Sequence, residues 1–186
     1  YIGMGQFCEG VENERLSYEF VLAEAERLGD RRALRRLRAI GAPVEGRYRS
    51  ERDMRVQRDY LTRYGGGCWK KREGIYKSIV LPLIKTPEYR LAELPGMVRG
   101  ALHSQEQLVD AMVALDFFRD VPELSVPVIM TEGVHDQNTP ASIARRWFYA
   151  LRAPEKRWIW FEDSAHSPLH EEPEKWCREV RKALNI

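Results

Sequence analysis

The sequence predicts an α/β protein in which parallel strands are flanked by helices and interrupted by a long helical insertion. Three observations carry this. Val126-Pro127-Val128-Ile129-Met130 is a continuous apolar run that leads through Thr131-Glu132-Gly133-Val134-His135 to Asp136. Arg157-Trp158-Ile159-Trp160-Phe161 is a second such run, leading through Glu162-Asp163-Ser164-Ala165 to His166. Upstream of both, residues 12–120 repeat their apolar positions almost entirely at helical spacing. Unbroken apolar runs suit parallel strands covered on both faces. In an open parallel sheet, ligands and reacting groups gather just beyond the C-terminal ends of the strands.

Taken in order, Tyr1 to Gln6 is apolar with two glycines and reads as the tail of a strand, with a frayed terminal segment as the competing reading. It carries no basic n-region of a signal peptide, and the chain reads as if it began in mid-domain. Tyr18, Leu22, Ala25 and Leu28 mark a first helix, and Leu34, Leu37 and Ile40 a second after the Gly29-Asp30 break. A third runs from about Glu51 to Tyr64 and stops at Gly65-Gly66-Gly67, because three glycines lose too much backbone entropy to stay helical. Short helices are expected at Gly74–Ile84 and Pro87–Leu94, then a longer one with Ala101, Leu108, Ala111, Met112, Leu115 and Phe118 on one side. After the strand at 126–130, Thr139-Pro140 reads as N-cap and first turn of a helix whose inner face is Ile143, Trp147 and Ala150 or Leu151. Trp158–Phe161 is the next strand, and Pro173 opens a last helix with Trp176, Val180 and Leu184 aligned. Strand–helix–strand at this length implies a right-handed parallel crossover.

The candidate catalytic residues are Asp136 and His166. An Asp after a strand is commonly a turn former, but here Thr139 is available to cap the helix, which leaves Asp136 free to accept the Nδ1 proton of a histidine. His166 lies in Ser-Ala-His-Ser-Pro, where small neighbours let an imidazole reach a cleft. His135 and His170 are nearby alternatives; His135 should point away from Asp136 if the segment is still extended. No nucleophile is nominated. None of Ser17, Ser50, Ser78, Ser104, Ser125, Ser142, Ser164 and Ser167 lies in Gly-x-Ser-x-Gly after an apolar strand, the tight turn that exposes Oγ and supplies an oxyanion N–H. Cys8 and Cys68 lack that elbow too.

These residues resemble the last two strands of the α/β-hydrolase fold. The pattern is Gly-x-x-Asp-x-x-x-Pro at Gly133, Asp136 and Pro140, then His-x-Pro-x-x-x-Glu-Pro at His166, Pro168, Glu172 and Pro173, with Ala165 where the family usually has Gly. The helical insertion is similar to the cap of the proline-iminopeptidase-like branch. The resemblance implies a C-terminal portion of a serine hydrolase: residues 1–11 the end of a core strand, 12–120 a helical cap or lid, 121–186 the α/β core with the acid and histidine loops. It implies cleavage of a small ester or peptide-like amide, aminopeptidase-like by the cap, with the nucleophile serine outside this chain. In that branch a cap carboxylate holds the substrate's free amine, and Glu19, Glu24, Glu45 and Glu73 are its candidates here. The isolated chain is expected to be inactive, and to associate with an N-terminal fragment of the same hydrolase or with a second copy that covers the open sheet edge.

Composition adds exclusions. Lys+Arg 30 against Asp+Glu 28 names no partner. Three widely spaced cysteines are neither a disulfide framework nor a metal motif and fit a reducing cytoplasm. No run approaches the roughly 18 apolar residues of a membrane helix. Asp59, Asp110, Asp116 and Asp120 with the four histidines show no metal-ligand spacing, so neither metal nor organic cofactor is expected. Residues 30–72 hold fourteen Lys/Arg and five Asp/Glu, with Tyr48, Tyr60, Tyr64 and Trp69 interleaved. A basic face with aromatics is compatible with single-stranded nucleic acid. No nucleic-acid motif accompanies it, and a solvated helical surface is the expected reading. A non-catalytic or nucleic-acid-binding protein remains the competing function class.

Overall fold

The computed structural model describes residues 1–70, 81–90 and 92–186, without the side chains of 82 and 83. It is a mixed α/β arrangement: three parallel strands, β1 (Ile2–Met4), β2 (Val128–Gly133) and β3 (Lys156–Phe161), in the order β1-β2-β3. Ile2 pairs with Ile129, and Val128 to Gly133 run alongside Lys156 to Phe161. The central strand β2 is buried at every position, as its unbroken apolar run requires. β3 starts two residues before the apolar run, at Lys156 and Arg157. The Lys156 ammonium reaches the carbonyls of Phe148 and Leu151 at the end of the preceding helix.

Helices α1 (Gly10–Arg27), α2 (Arg31–Ile40) and α3 (Glu51–Arg63) follow β1. Asp30 caps α2 by accepting from the Ala33 amide at 2.9 Å, and Ser50 accepts from Asp53 at 3.2 Å to open α3. Of the helix expected at Gly74–Ile84, residues 71–80 lie outside the described residues; the rest is α4 (Leu81–Lys85). The helix expected at Pro87–Leu94 is not formed over 86–90, where the chain turns at 87–88. Proline restricts the residue before it to extended conformations, so Thr86-Pro87 breaks a helix instead of opening one. The long helix α5 starts at Leu94, with Pro95 in its first turn, and ends at Ala114, short of Leu115 and Phe118. Asp116 ends the run because its carboxylate caps a new turn, α6 (Phe117–Asp120), by accepting from the amides of Phe118 and Arg119. Helices α7 (Ala141–Ala150), α8 (Pro168–Glu171) and α9 (Pro173–Leu184) complete the chain.

Two apolar clusters hold this together. One is helical: Tyr18, Val21 and Ala25 of α1, Ala33, Leu37 and Ile40 of α2, Tyr60 and Leu61 of α3, and Tyr64. The other lies under the sheet: Cys8, Val128 and Met130 against Ile143, Ala144, Trp147, Phe148 and Leu151. Each large buried side chain contributes roughly 1.5–3 kcal/mol. Helix α1 serves both clusters, since Leu16 packs on the sheet cluster. The arginines of α2 at 31, 32, 35 and 36 face solvent, opposite Ala33, Leu37 and Ile40. No helix among the described residues is long and apolar enough to cross a membrane.

Candidate active site

β2 and β3 end side by side, and their following loops pass unusually close. A Cβ on Gly133 would lie 2.0 Å from the Ala165 carbonyl oxygen and 2.4 Å from that of Ser164. Only glycine permits that approach. The His135 amide donates to the Ser164 carbonyl at 3.1 Å, and the Val134 amide to that of Phe161 at 3.0 Å. The acid loop and the histidine loop are thereby laced together by main chain.

Asp136 is fully buried at the end of the first loop. Its Oδ1 accepts from the amides of Asn138 at 2.8 Å and Thr139 at 3.0 Å, the local turn such a residue commonly forms. Its Oδ2 accepts from the Thr139 hydroxyl at 2.9 Å and lies 3.0 Å from His166 Nδ1. One oxygen builds the loop and the other faces the imidazole. This corrects the division of labour expected from sequence. Thr139 does not cap α7, whose N-cap position is Pro140 with no side-chain cap. Proline removes one amide from the first turn and so relieves the need for a cap. The Thr139 hydroxyl turns inward instead, 3.0 Å from both the Gly5 carbonyl oxygen and His166 Nδ1.

With a carboxylate facing Nδ1, the network assigns the proton to Nδ1 and leaves Nε2 as the basic nitrogen. Burial disfavours the charged imidazolium. The hydrogen bond to Asp136, the Asp136 charge and the Glu171 charge together outweigh burial and raise the His166 pKa. The backbone of Gly5, at φ +54°, passes directly over the ring: a Cβ there would lie 2.6 Å from Nδ1. That contact reveals a role for Gly5 that its place at the end of a strand did not. The other histidines stay apart. His135 stacks on Trp69 with ring centroids 3.4 Å apart and planes 7° from parallel, and His170 is exposed.

His166 and Thr139 line a cavity of about 360 Å³ between the strand ends and helices α1, α3 and α5. Phe7, Met54, Val109, Met112 and Val113 make its apolar wall. Its polar side chains include Asn13, Glu14 and Arg58. Glu14 is 7% exposed; one carboxylate oxygen pairs with the Arg58 guanidinium, while Oε2 has no hydrogen-bond partner among the described residues. The buried Tyr48 hydroxyl lies close enough to feel the charges of both. Glu14 was not among the candidate carboxylates. Glu19 is exposed and paired with Arg15, Glu24 pairs with Arg27, and Glu45 is exposed. None of the three lines this cavity, and Glu73 lies outside the described residues. The missed signal is Asn13-Glu14 in the first turns of α1, polar residues on the helix's inward side.

No serine or cysteine is among the described residues lining this cavity. Ser164 is buried and donates to Glu172 at 2.7 Å, while Ser17 is held by Gln57. Burial, and after it the Glu132 charge, push the pKa of the Cys8 thiol up, which disfavours the thiolate. No group of three or more His, Cys, Asp or Glu among the described residues is placed to hold a metal ion.

No protein-family model matches the chain. Among curated proteins, the "probable aminopeptidase" YbaC of Bacillus subtilis (strain 168) is 29% identical over 177 residues, which cover 93% of this chain and 53% of that protein. The chain therefore spans about half the length of the curated relative it matches. Among solved structures, the esterase EaEST from Exiguobacterium antarcticum shares 23% identity over 45% of this chain and 31% of its own, with a TM-score of 0.40.

Proposed function

We propose that this chain supplies the acid–base half of an α/β-hydrolase of aminopeptidase-like specificity, whose nucleophile serine lies outside it. The observation that carries this reading is the Asp136–Thr139–His166 network, with His166 and a buried, half-paired Glu14 carboxylate lining one cavity. Similarity over 93% of the chain to a protein named a probable aminopeptidase supports it.

In this reading His166 Nε2 takes the proton from the serine hydroxyl as its oxygen attacks the substrate carbonyl. Asp136 holds the Nδ1 proton and steadies the imidazolium. The same proton passes from Nε2 to the departing amine, leaving an acyl-enzyme. Water then repeats the sequence, giving its proton to His166 and its oxygen to the acyl carbon, and the serine regains a proton. Glu14 Oε2 receives the free amine of the substrate's first residue, and the apolar wall receives its side chain. Arg58, paired with the other oxygen, keeps the carboxylate in place.

Two measurements test this. In the longest polypeptide encoded with this chain, aminoacyl-p-nitroanilides should be hydrolysed, their N-acetyl derivatives poorly, and His166→Ala should abolish turnover. Glu14→Gln should raise KM by about tenfold or more with kcat less affected, as loss of uniform binding does. This chain alone should bind alanine amide but not N-acetylalanine amide, and should not turn over p-nitrophenyl acetate, since losing even one oxyanion donor costs roughly 10²–10³ in rate. Equal turnover of free and N-acetylated substrates would remove the aminopeptidase assignment, and turnover surviving His166→Ala would remove the hydrolase reading itself.

A further inference from the structure

Glu171 ends α8, the single helical turn that starts two residues after His166, and that turn brings its side chain back beneath the histidine loop. It is 8% exposed. Its Oε1 accepts from the Ala165 amide at 2.8 Å, immediately before His166. Its Oε2 accepts from the amides of Trp69 at 2.6 Å and Lys70 at 3.1 Å, with Cys68 Sγ at 3.5 Å. Its main-chain oxygen accepts from Lys70 Nζ at 2.6 Å. One buried carboxylate thus bridges the histidine loop and a loop about a hundred residues earlier in the chain.

That earlier loop, residues 65–70, leaves the end of α3 and touches both catalytic candidates' loops with its main chain. The Gly67 carbonyl accepts from the His166 amide at 3.4 Å. The Gly66 carbonyl accepts from the amides of Gln137 at 2.9 Å and Asn138 at 3.1 Å, directly after Asp136. Helix α3 also sends Met54 and Arg58 to the cavity wall. The helical region is therefore joined to the acid loop by Gly66 and to the histidine loop by Gly67 and Glu171.

We propose that Glu171 is a positioning residue for His166, a clasp that fastens the loop at 65–70 to the histidine loop so that the helical region sets the geometry of the His166–Asp136 pair. As a statement about catalysis it rests on the hydrolase reading above, but the clasp itself is tested without substrate. Two contributions follow. The hydrogen bonds hold the backbone on both sides of the contact, and the carboxylate charge favours the protonated imidazole alongside Asp136. The charged groups acting on His166 are Asp136, from the acid loop, and Glu171, from its own loop.

The test is nitrogen-detected NMR of His166 in the wild-type chain and in Glu171→Gln, Glu171→Ala and Glu172→Gln. Glu171→Gln should lower the His166 pKa, and Glu171→Ala should in addition weaken or abolish the downfield Nδ1 proton signal. Glu172→Gln removes the charge that accepts from the Asp163 amide and the Ser164 hydroxyl, but that charge is not among those acting on His166, so the pKa should stay in place. A role in folding alone would leave the pKa unmoved in every folded variant, and that result overturns the proposal. Hydrogen exchange of the wild-type chain gives an answer even if the variants do not fold. The Trp69, Lys70 and Ala165 amides share one acceptor residue and should open together, with protection equal within about threefold. Protection of Ala165 persisting after Trp69 and Lys70 have exchanged overturns the clasp. Loss of turnover in His166→Ala bears on the hydrolase reading and leaves these results untouched.

Discussion

The helical cluster and the sheet cluster are built by the same rules up to one end of the sheet, where they diverge. In the helical cluster the buried Gln57 and Tyr18 side chains have simple partners. Gln57 donates to the Ser17 carbonyl and hydroxyl at 3.0 and 2.9 Å, and the Tyr18 hydroxyl donates to the Leu37 carbonyl at 3.0 Å. The sheet cluster is apolar at Val128 and Met130, but the same strand then buries Thr131 and Glu132 completely. Thr131 is satisfied by Gly3 and Trp176. Among the described residues Glu132 keeps only the Gln6 amide on Oε1, with Oε2 unpaired, and burial together with the Asp136 charge pushes its pKa up to about 8. Buried polar groups are normally satisfied because leaving them unpaired is costly, so the departures concentrate where a fold carries function. Among the described residues the departures include Glu132, in the strand that leads to Asp136, and Glu14, at the cavity, with Trp158 Nε1 of β3 a further one.

The largest expected effect concerns whether the two clusters are one cooperative unit. Trp147 is 1% exposed and its Nε1 donates to the Val121 carbonyl at 3.1 Å. Trp147→Ala should cost about 3–5 kcal/mol in urea denaturation. Because α1 packs on both clusters, tryptophan fluorescence and far-UV dichroism should lose signal in one transition. Two separated transitions would mean that the clusters are independent.

Neutralising polar groups should act with opposite sign in the two clusters. Glu132 has a raised pKa, so its proton favours the folded state; stability falls as pH rises from the ordinary value of 4.5 to about 8 and then levels off. Glu132→Gln keeps the acceptor for the Gln6 amide and removes the charge. It should be more stable than the wild type above pH 8 by about 2–4 kcal/mol, and little different near pH 4. Gln57→Leu leaves Ser17 without its partner and should cost about 1–3 kcal/mol at either pH. A Glu132→Gln variant no more stable at pH 9 would show that this carboxylate finds a partner or solvent.

A smaller, local effect sharpens the contrast at the strand ends. The raised His166 pKa depends chiefly on Asp136, so Asp136→Asn should lower it, leaving burial opposed only by the Glu171 charge. The stabilising contribution of the pair is present below the ordinary pKa and is lost as pH rises through the raised one. NMR titration of the His166 ring checks both. Thr139→Val should cost about 0.5–1.5 kcal/mol, one hydrogen bond's worth, and leave Asp136 near His166.

The smallest effect belongs to the surface of the helical region. Arg31, Arg32 and Arg35 face solvent, and changing them to Ala should alter stability by no more than about 0.5 kcal/mol each. If the same triple variant lost affinity for single-stranded RNA that the wild type binds, the basic face would have a function of its own.

The layered α/β arrangement is legible in the sequence, because the apolar runs at 126–130 and 158–161 have the period and length of buried strands, and residues 12–70 have the period of helices. The sequence also placed Asp136 and His166 at the ends of adjacent strands, which follows from counting residues past each run. What it did not determine were the contacts between segments distant in the chain. Glu14 is one glutamate among many until α1 packs over the strand ends and buries it beside Arg58. Thr139 reads as a helix cap until the position of Gly5 draws its hydroxyl inward. Glu171 gains its role only when residues 65–70 arrive from the end of α3. Helix and strand follow from local periodicity, which a sequence displays directly. A hydrogen bond between loops depends on the three-dimensional packing of both, and only the tertiary structure decides it.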